Sequence, residues 1–226
     1  MNALELDHVT KEHPAHPPVV ALRSVTLTIA EGEFAAVVGP SGSGKTTLLA
    51  VAGTLERPTA GAVRIGGVPV ETLPDRALSG IRANRIGFVF QQFFLIPTLT
   101  TLDNVANALL YRGIPARERR NAATDALEAV GLSRRSTHRP TELSGGECQR
   151  VAIARAIVGR PTIILADEPT GSLDTETGDA ILNLLTMLND DGATIVVVTH
   201  NPDVAAAIPR TIRLRDGAIE HDSGPR

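Results

Sequence analysis

The first ninety residues alternate short apolar runs with polar breaks, a pattern that predicts mainly strands. Residues 3–9 and 20–29 have strand character, and the stretch KEHPAHPP between them predicts an irregular loop because of its prolines. A short apolar strand at 33–38 runs into GPSGSGKTTLLAVAG, which predicts a glycine loop and then a helix ending near Gly53. Two more elements are expected here, a hairpin at 61–70 and a strand at 85–90.

From about residue 98 to 158 the apolar positions recur at helical spacing and indicate no strand. Pro115 opens one of these helices and Gly131 closes it. After residue 160 we expect a strand at 162–167, a helix at 175–189, a strand at 194–200 and a short helix at 202–207. The β-branched runs are typical of a parallel sheet covered on both faces. The chain is therefore predicted to be an α/β sheet domain with an all-helical insertion and no separate linker.

The composition narrows the class of protein. The chain has 226 residues and a net charge of −3, whereas a sequence-independent nucleic-acid binder is usually basic, so no nucleic-acid partner is expected. Cys148 is the single cysteine, which excludes an internal disulfide. The start, MNALELDH, lacks the regions of a signal peptide, and no apolar run approaches the roughly 18–20 residues that span a bilayer. We expect a cytoplasmic chain without direct membrane insertion.

The segment GPSGSGKT, Gly39 to Thr46, fits the phosphate-loop pattern G-x-x-x-x-G-K-[ST] between a strand and a helix. Its glycines let backbone N–H groups wrap phosphate oxygens at a helix N-terminus. Lys45 is placed to neutralise the β/γ-phosphates and Thr46 to ligate Mg²⁺. Only Lys11 and Lys45 are lysines in a chain that otherwise uses arginine, which favours a specific role for Lys45 over a glycine turn that matches by chance.

Polar side chains follow three of the expected strands. Asp167 ends the strand TIILAD, where it can hold the water shell of Mg²⁺, and Glu168 can polarise an attacking water as a general base. The alternative, a solvated acidic loop, fits poorly after so apolar a strand. His200 ends the strand TIVVVTH and could donate to a γ-phosphate, although a lone histidine is often only structural. Gln91 follows the strand GFVF and by itself indicates nothing.

Residues 143–150, LSGGECQR, combine two opposing signals. Ser144 and Glu147 have the spacing of a capping box that starts a helix. Gly145 and Gly146 between them weaken that first turn, since each glycine costs roughly 1 kcal/mol against alanine. A plain capping box explains the serine and the glutamate but not the glycines, which suggests that something approaches this backbone closely.

These motifs, in this order and spacing, resemble the nucleotide-binding subunit of an ABC transporter over essentially the whole chain. The resemblance implies a P-loop NTPase (RecA-like) sheet core with an N-terminal antiparallel β-subdomain. It further implies an all-helical subdomain inserted at about 92–160, within a single nucleotide-binding domain over 1–226. In this family two such domains dimerise head to tail, and the LSGGE helix of one closes over the ATP held by the other. Gly145 and Gly146 would then leave room for the γ-phosphate, and Ser144 would hydrogen-bond it.

The same resemblance implies the cofactors ATP and Mg²⁺ and a set of roles. Glu168 is the implied general base, with His200, Lys45 and Gln91 acting beside it. Thr46, Gln91 and Asp167 are the implied Mg²⁺ contacts. Ser172 and Asp174 match the loop that crosses the dimer interface. The implied nucleotide-binding residues are Gly39, Pro40, Ser41, Gly42, Ser43, Gly44, Lys45, Thr46, Thr47, His13, Ser144, Gly145, Gly146, Glu147 and Asp174.

Two positions depart from the family pattern. The aromatic residue that usually stacks on adenine is replaced by His13, with His16 as a rival. Cys148 stands where a glutamine or another polar residue is common. A thiol near a helix N-terminus could have a lowered pKa and be redox-sensitive, and the alternative is a tolerated small substitution.

The stretch FVFQQFFLIPTLTTLDNV resembles the branch with macrolide exporters and lipoprotein-release systems. In the family, the region of Phe93, Phe94, Leu95 and Ile96 lines the groove that receives the permease, although these residues can equally pack the junction between sheet and helices. The resemblance implies an ATPase subunit that drives separate transmembrane permease subunits from the inner face of the plasma membrane. The alternatives are a soluble ABC ATPase in translation or DNA repair, which usually carries two such domains or a coiled coil, and a small-molecule P-loop kinase, which would leave LSGGE idle.

Overall fold

The computed structural model describes residues 1–224, which form ten strands and seven α-helices. The strands are β1 (Asn2–His13), β2 (Val19–Ala30), β3 (Phe34–Val38), β4 (Ala60–Ile65), β5 (Val68–Pro69), β6 (Ile86–Phe90), β7 (Ile163–Asp167), β8 (Ile195–Thr199), β9 (Arg210–Arg215) and β10 (Ala218–Asp222). The α-helices are α1 (Lys45–Ala52), α2 (Asp75–Arg85), α3 (Thr101–Ala106), α4 (Ala116–Ala129), α5 (Gly145–Ile157), α6 (Thr175–Asp190) and α7 (Pro202–Ala206). Short 3₁₀ turns lie at Asn107–Arg112, Ser133–Arg135 and Pro140–Glu142.

The strands form two sheets. An antiparallel sheet has the order β2-β1-β4-β5, and a six-stranded sheet has the order β10-β9-β3-β8-β7-β6. In the larger sheet the five strands from β9 to β6 are parallel, and β10 pairs antiparallel with β9 at the edge. The expected P-loop NTPase core with an N-terminal antiparallel subdomain is confirmed.

The parallel sheet is buried on both faces, as its continuous apolar runs predict. On β7, Ile163 and Leu165 face a core shared with α1 and the antiparallel sheet, whereas Ile164 and Ala166 face a second core that includes residues of α4, α5 and α6. The sheet therefore separates two apolar cores and has its strand ends free to carry polar side chains.

Between β6 and β7 the described chain contains helices and turns, in the region where an inserted helical subdomain is expected. Pro115 stands directly before α4, and Gly131 follows it at φ +73°. Helix α5 packs on the sheet itself, since a Cβ added at Gly87 of β6 would lie 2.5 Å from the carbonyl oxygen of Ala156. The boundaries at 92 and 160 stay a prediction. No helix within residues 1–224 is long and apolar enough to cross a membrane.

The structure differs from the sequence-based prediction in one loop boundary and in three elements that were not predicted. The loop expected over residues 11–18 is shorter, because β1 continues to His13 and pairs there with Val19. Helix α2 was not expected, since Leu78 is its one buried residue and its sequence has no apolar stripe. Strands β9 and β10 were not expected either. In β9 the buried face reads Arg210, Ile212, Leu214, so that an arginine occupies a core position.

Arg210 is buried because three parts of the chain satisfy its guanidinium group. It donates to both carboxylate oxygens of Asp222 at 2.9 and 2.6 Å, to Glu33 Oε1 at 2.7 Å and to the carbonyl oxygen of Thr28 at 2.8 Å. These hydrogen bonds raise the pKa of Arg210 further above its usual value, and they lower the pKa of Asp222. The cluster ties the C-terminal strands to the antiparallel sheet.

We expect the Asp222→Asn substitution to lower the free energy of unfolding by about 1–3 kcal/mol at pH 7, because it leaves part of a buried arginine unpaired. Because the folded pKa of Asp222 is depressed, its contribution is present above the ordinary carboxyl pKa of about 3.9 and is lost as pH falls through the folded value. The difference between wild type and variant should therefore shrink below about pH 4 in urea unfolding curves. Glu220→Gln on the same strand, which removes an exposed pair with Arg215, should cost about 0–1 kcal/mol; an equal loss in both variants would contradict the prediction.

Candidate functional site

The phosphate loop connects β3 to α1 and is enclosed by backbone. A Cβ added at Gly39 would collide with the carbonyl oxygen of Leu214, and one at Gly44 with that of Ala21. Gly42 and Gly44 have φ values of +77° and +102°, which L side chains rarely adopt. Glycine at these positions lets the loop curl tightly between β2 and β9.

The loop and the start of α1 supply hydrogen-bond donors. Lys45 Nζ donates to the carbonyl oxygens of Gly39 and Pro40 at 2.8 and 3.0 Å, which holds the ammonium group against the loop. The first amides of α1 have no partner inside the helix, and Gly44 offers no side-chain cap. The Ser43 hydroxyl is buried without a hydrogen-bond partner in the described chain. A cationic loop with free amides fits a chain of phosphates.

Two acidic residues lie at the carboxyl end of β7, Asp167 as its last residue and Glu168 directly after it. Burial raises the pKa of Asp167, the charge of Glu168 raises it further, and Lys45 opposes both effects. A carboxylate in such surroundings gains from a nearby cation. One carboxylate and the Thr46 hydroxyl suit Mg²⁺, which keeps several waters and takes its other ligands from substrate phosphates.

Glu168 is held in one orientation by β8 and the residue after it. Its Oε1 accepts a hydrogen bond from the His200 backbone N–H at 2.9 Å and lies 2.6 Å from His200 Nδ1. Its Oε2 accepts from the Thr199 hydroxyl at 3.1 Å. Its backbone has φ +46°, a left-handed conformation that costs a non-glycine residue about 1–3 kcal/mol. The fold keeps this strain and directs the carboxylate.

Gln91 lies beside the acidic loop at the end of β6. Ser172 Oγ donates to the Gln91 carbonyl oxygen at 3.2 Å, and a Cβ added at Gly171 would lie 3.0 Å from Gln91 Nε2. The carboxyl ends of β3, β8, β7 and β6 thus bring together the phosphate loop, His200, the acidic pair and Gln91.

The octet LSGGECQR forms the start of α5, with Ser144 as its N-cap. Ser144 Oγ accepts from the Glu147 N–H at 3.2 Å, and Glu147 Oε2 accepts from the Ser144 N–H at 2.9 Å, which completes the capping box. Glu147 Oε1 accepts from Arg135 Nε at 2.9 Å. The backbone hydrogen bond from Ser144 lowers the pKa of Glu147. The Glu147 carboxylate is thus engaged within its own chain.

The two glycines of this octet have a partial explanation inside the chain. A Cβ added at Gly146 would collide with Thr177 Cγ2 of α6. One added at Gly145 would lie 3.3 Å from Leu173 Cδ2, a tight but adjustable distance. Close packing of α5 on α6 therefore requires glycine at position 146. Packing alone does not require glycine at position 145, where close approach of a ligand remains the explanation.

Asp174 caps the start of α6. Its Oδ1 accepts from the Thr177 N–H at 3.0 Å and its Oδ2 from the Thr177 hydroxyl at 2.8 Å. The backbone hydrogen bond from Thr177 is the main cause that lowers the pKa of Asp174. Asp174 therefore has a structural role as the N-cap of α6. Its expected role at a dimer interface stays a prediction.

His13 ends β1 and His16 lies in the following turn. His13 Nδ1 is 3.9 Å from Glu56 Oε2, and its side chain is 39% exposed. On the partner strand, Ala21 lies against Gly44 of the phosphate loop. A role of either histidine in base stacking stays a prediction.

The redox hypothesis for Cys148 is wrong in its premise. The thiol is buried, with Sγ 3.6 Å from the carbonyl oxygen of Pro140. Burial raises the pKa of Cys148, and the charge of Glu147 raises it further, so the thiolate is not favoured. Cys148 is therefore a small packing residue beside Pro140.

Gln149 is a functional candidate that the sequence motifs did not indicate. It is fully buried in α5, and its Nε2 donates to the carbonyl oxygen of Pro169 at 2.7 Å. Pro169 directly follows Glu168, so Gln149 fixes the loop that carries the candidate base. A polar residue among the apolar positions of α5 could have drawn attention to it. Its acceptor lies 20 residues further along the chain, so the sequence does not show the contact.

Substitution of Gln149 by Leu should lower kcat about ten- to a hundredfold with little change in KM for ATP, because the loop after Glu168 loses its anchor. Steady-state ATPase assays with a thermal-unfolding control would measure this. Cys148→Ser, one position earlier, contacts Pro140 instead and should leave kcat near wild type. A rise in KM at constant kcat would contradict the positioning role.

The ABC transporter family model matches residues 22–171. The chain is 52% identical to an uncharacterized ABC transporter ATP-binding protein of Thermotoga maritima, over 89% of this chain and 86% of that one. It is 47% identical to the macrolide export ATP-binding/permease protein MacB of Rhodospirillum rubrum, over 92% of this chain but 32% of that one. A dimeric post-hydrolysis structure of the ATP-binding cassette MJ0796, bound to ADP and Pi, superposes with a TM-score of 0.88 at 46% identity and covers 99% of both chains. The MJ0796 protein is from Methanocaldococcus jannaschii.

Proposed function

The chain belongs to the ABC transporter family as an ATP-binding, ATP-hydrolysing subunit, and from that premise we propose that it dimerises around two ATP–Mg²⁺ and drives a separate membrane permease. The observation that carries the proposal is the convergence of the phosphate loop, Asp167, Glu168 and His200 at one sheet edge. The reaction is the attack of water on the γ-phosphate of ATP, which releases ADP and phosphate.

The catalytic step rests on positioning and electrostatics. Lys45 and the free amides of α1 hold the phosphates. Thr46, Asp167 and Gln91 would hold Mg²⁺, which would neutralise charge on the phosphates. Glu168 takes a proton from the attacking water, and its fixed orientation reduces the reorganisation that this step needs. His200, 71% exposed at its side chain, can leave Glu168 and donate to the γ-phosphate.

The second half of each site comes from another copy of the chain. Ser144, at the exposed start of α5, offers its hydroxyl and the adjoining amides to the γ-phosphate held by the opposite phosphate loop. The dimeric MJ0796 structure supports this arrangement. The hydroxyl of Ser144 would then exchange its intrahelical bond to Glu147 for one to phosphate.

The permease is proposed to dock in a groove of about 580 Å³ between α2, β6 and the turn after α3, which we call the docking groove. Its apolar lining consists mainly of Leu55, Phe88, Phe90, Phe94, Leu109 and Tyr111. Phe94 and Tyr111 are 62% and 86% exposed, which is unusual for large rings without a partner. Of the expected cluster, Ile96 is also exposed, whereas Leu95 packs on the core, so both roles given to this cluster are supported.

The similarity to MacB proteins, in which an ATP-binding region is joined to a permease, supports an exporter or mechanotransmission-type system. In that assembly the chain would lie peripherally on the inner face of the plasma membrane, held there by its permease.

Affinity purification of the chain from detergent-solubilised membranes of its own host tests the proposal. We expect a membrane-spanning protein in stoichiometric amount, and an ATPase rate that rises when the two are reconstituted in liposomes. A chain that stays alone, with full ATPase activity in the soluble fraction, would favour an ABC ATPase unconnected with transport.

A further inference from the structure

The docking groove carries three arginine side chains among its apolar residues, Arg82, Arg112 and Arg155. Each of them is bound to neutral groups. Arg82 donates to the carbonyl oxygen of Thr54 at 2.9 Å and to the Ser79 hydroxyl. These contacts fix the guanidinium group but do not neutralise its charge.

Arg112 and Arg155 are held in the same way. Arg112 donates to the carbonyl oxygens of Ala83 and Gly159, each at 2.7 Å, and to that of Asn84. Arg155 donates to the carbonyl oxygens of Phe94 and Phe93 at 2.6 and 2.8 Å. Arg155 thereby sets the course of the segment that starts two residues after Gln91.

No aspartate or glutamate lines the docking groove in the described chain, and none of these three arginines forms an ion pair there. Burial lowers the pKa of Arg112 and of Arg155. Arg210 shows the contrast, since the same fold surrounds that buried arginine with Asp222 and Glu33. The groove therefore keeps a formal charge of +3 beside exposed aromatic rings.

A partner that covers this surface removes water from the three guanidinium groups. Desolvating them without an anion is costly, whereas a carboxylate on the partner would offer paired, charge-assisted hydrogen bonds. Apolar side chains of the partner would contact Phe94 and Tyr111. The groove thus selects both an apolar surface and a negative charge.

We propose that the permease segment in the docking groove carries at least one aspartate or glutamate among apolar residues, and that this carboxylate pairs with Arg82, Arg112 or Arg155. The inference rests on the proposed function and specifies the chemistry of its partner. The same pair would place the partner beside Arg155, whose bonds to Phe93 and Phe94 lead back to Gln91 and the ATP site.

Photo-crosslinking in the complete complex identifies the segment. Tyr111, the most exposed ring of the groove, is replaced by p-benzoylphenylalanine, and the product formed in membranes is mapped by mass spectrometry. We expect a short segment of the membrane-spanning chain that contains an aspartate or glutamate. A membrane chain captured through a segment without a carboxylate overturns this inference and leaves the proposed function intact. Failure to associate with any membrane chain overturns both.

A charge exchange tests the pair itself. Arg82→Glu should reduce permease-stimulated ATPase activity about tenfold or more, and changing the captured acidic residue to arginine should restore most of it. Arg76→Glu is the matched control, because Arg76 is exposed on the same helix and lies outside the groove lining. Both variants should keep the wild-type melting temperature. The same exchange is made at Arg112 and at Arg155. Losses in all three variants that equal the loss in Arg76→Glu, or restoration at none of the three arginines, would overturn the pairing.

Discussion

Replacing Glu168 by Gln is expected to lower ATP turnover by about 10²- to 10⁴-fold while ATP binding persists. The amide keeps the size of the carboxylate but cannot take a proton from water. Thr199, the His200 backbone N–H and the His200 ring fix the side chain, so a large rearrangement of the loop is not needed to accommodate the change. With hydrolysis blocked, ATP should convert the monomer to a stable dimer.

Light scattering of the Glu168→Gln protein with and without ATP–Mg²⁺ measures that conversion. Adding Ser144→Arg should prevent it, because the new side chain fills the space proposed for the γ-phosphate. Ser144→Ala is the control, since it also removes the N-cap, at a cost of about 0.5–2 kcal/mol, but adds no bulk. Near-wild-type turnover in Glu168→Gln would show that another group is the base. A dimer that tolerates Ser144→Arg would remove α5 from the interface.

Lys45→Ala should weaken ATP binding about ten- to a hundredfold, because the loop loses its ammonium group and the charge-assisted hydrogen bonds to phosphate. The two carbonyl oxygens that Lys45 now contacts, those of Gly39 and Pro40, can turn to water, so the loop itself should survive. The loss should be greatest for ATP and smaller for AMP, which lacks the β- and γ-phosphates.

The other lysine provides the control. Lys11 pairs with Glu56 and donates to the carbonyl oxygen of Arg57, on the antiparallel sheet and outside the phosphate loop. Isothermal titration of Lys11→Ala should give wild-type ATP affinity. An unchanged affinity in Lys45→Ala, or the same loss in both variants, would contradict the role given to the phosphate loop.

Four of the five parallel strands, β3, β6, β7 and β8, could be predicted because burial in the sheet leaves nearly continuous apolar runs, as in β7 and β8. Helix α2 could not, because its one buried residue, Leu78, makes no periodic stripe. Strand β9 was hidden by Arg210, whose burial depends on Asp222 and on Glu33 from a distant part of the chain. Partners that meet only in the folded chain leave little trace in a local pattern.

The site shows the same division. The phosphate loop and the acidic pair are local in sequence and were predicted as motifs. The burial of Cys148 was not predicted, because it depends on packing that the local sequence does not show; with the charge of Glu147 it raises the pKa of the thiol. Gly146 looked like a ligand-binding glycine, and the structure adds a packing reason through Thr177, which is 31 positions further along.

The contacts of Thr177 connect two helices. Its amide and hydroxyl are bound to Asp174, and its methyl group fills the notch at Gly146, so the starts of α5 and α6 share one contact. Further along α5, Gln149 clamps the peptide after Glu168. Direct contacts therefore connect the starts of α5 and α6 with the loop after Glu168. A second subunit that displaces α5 would therefore also act on the loop of the candidate base, through the hydrogen bond from Gln149 to Pro169.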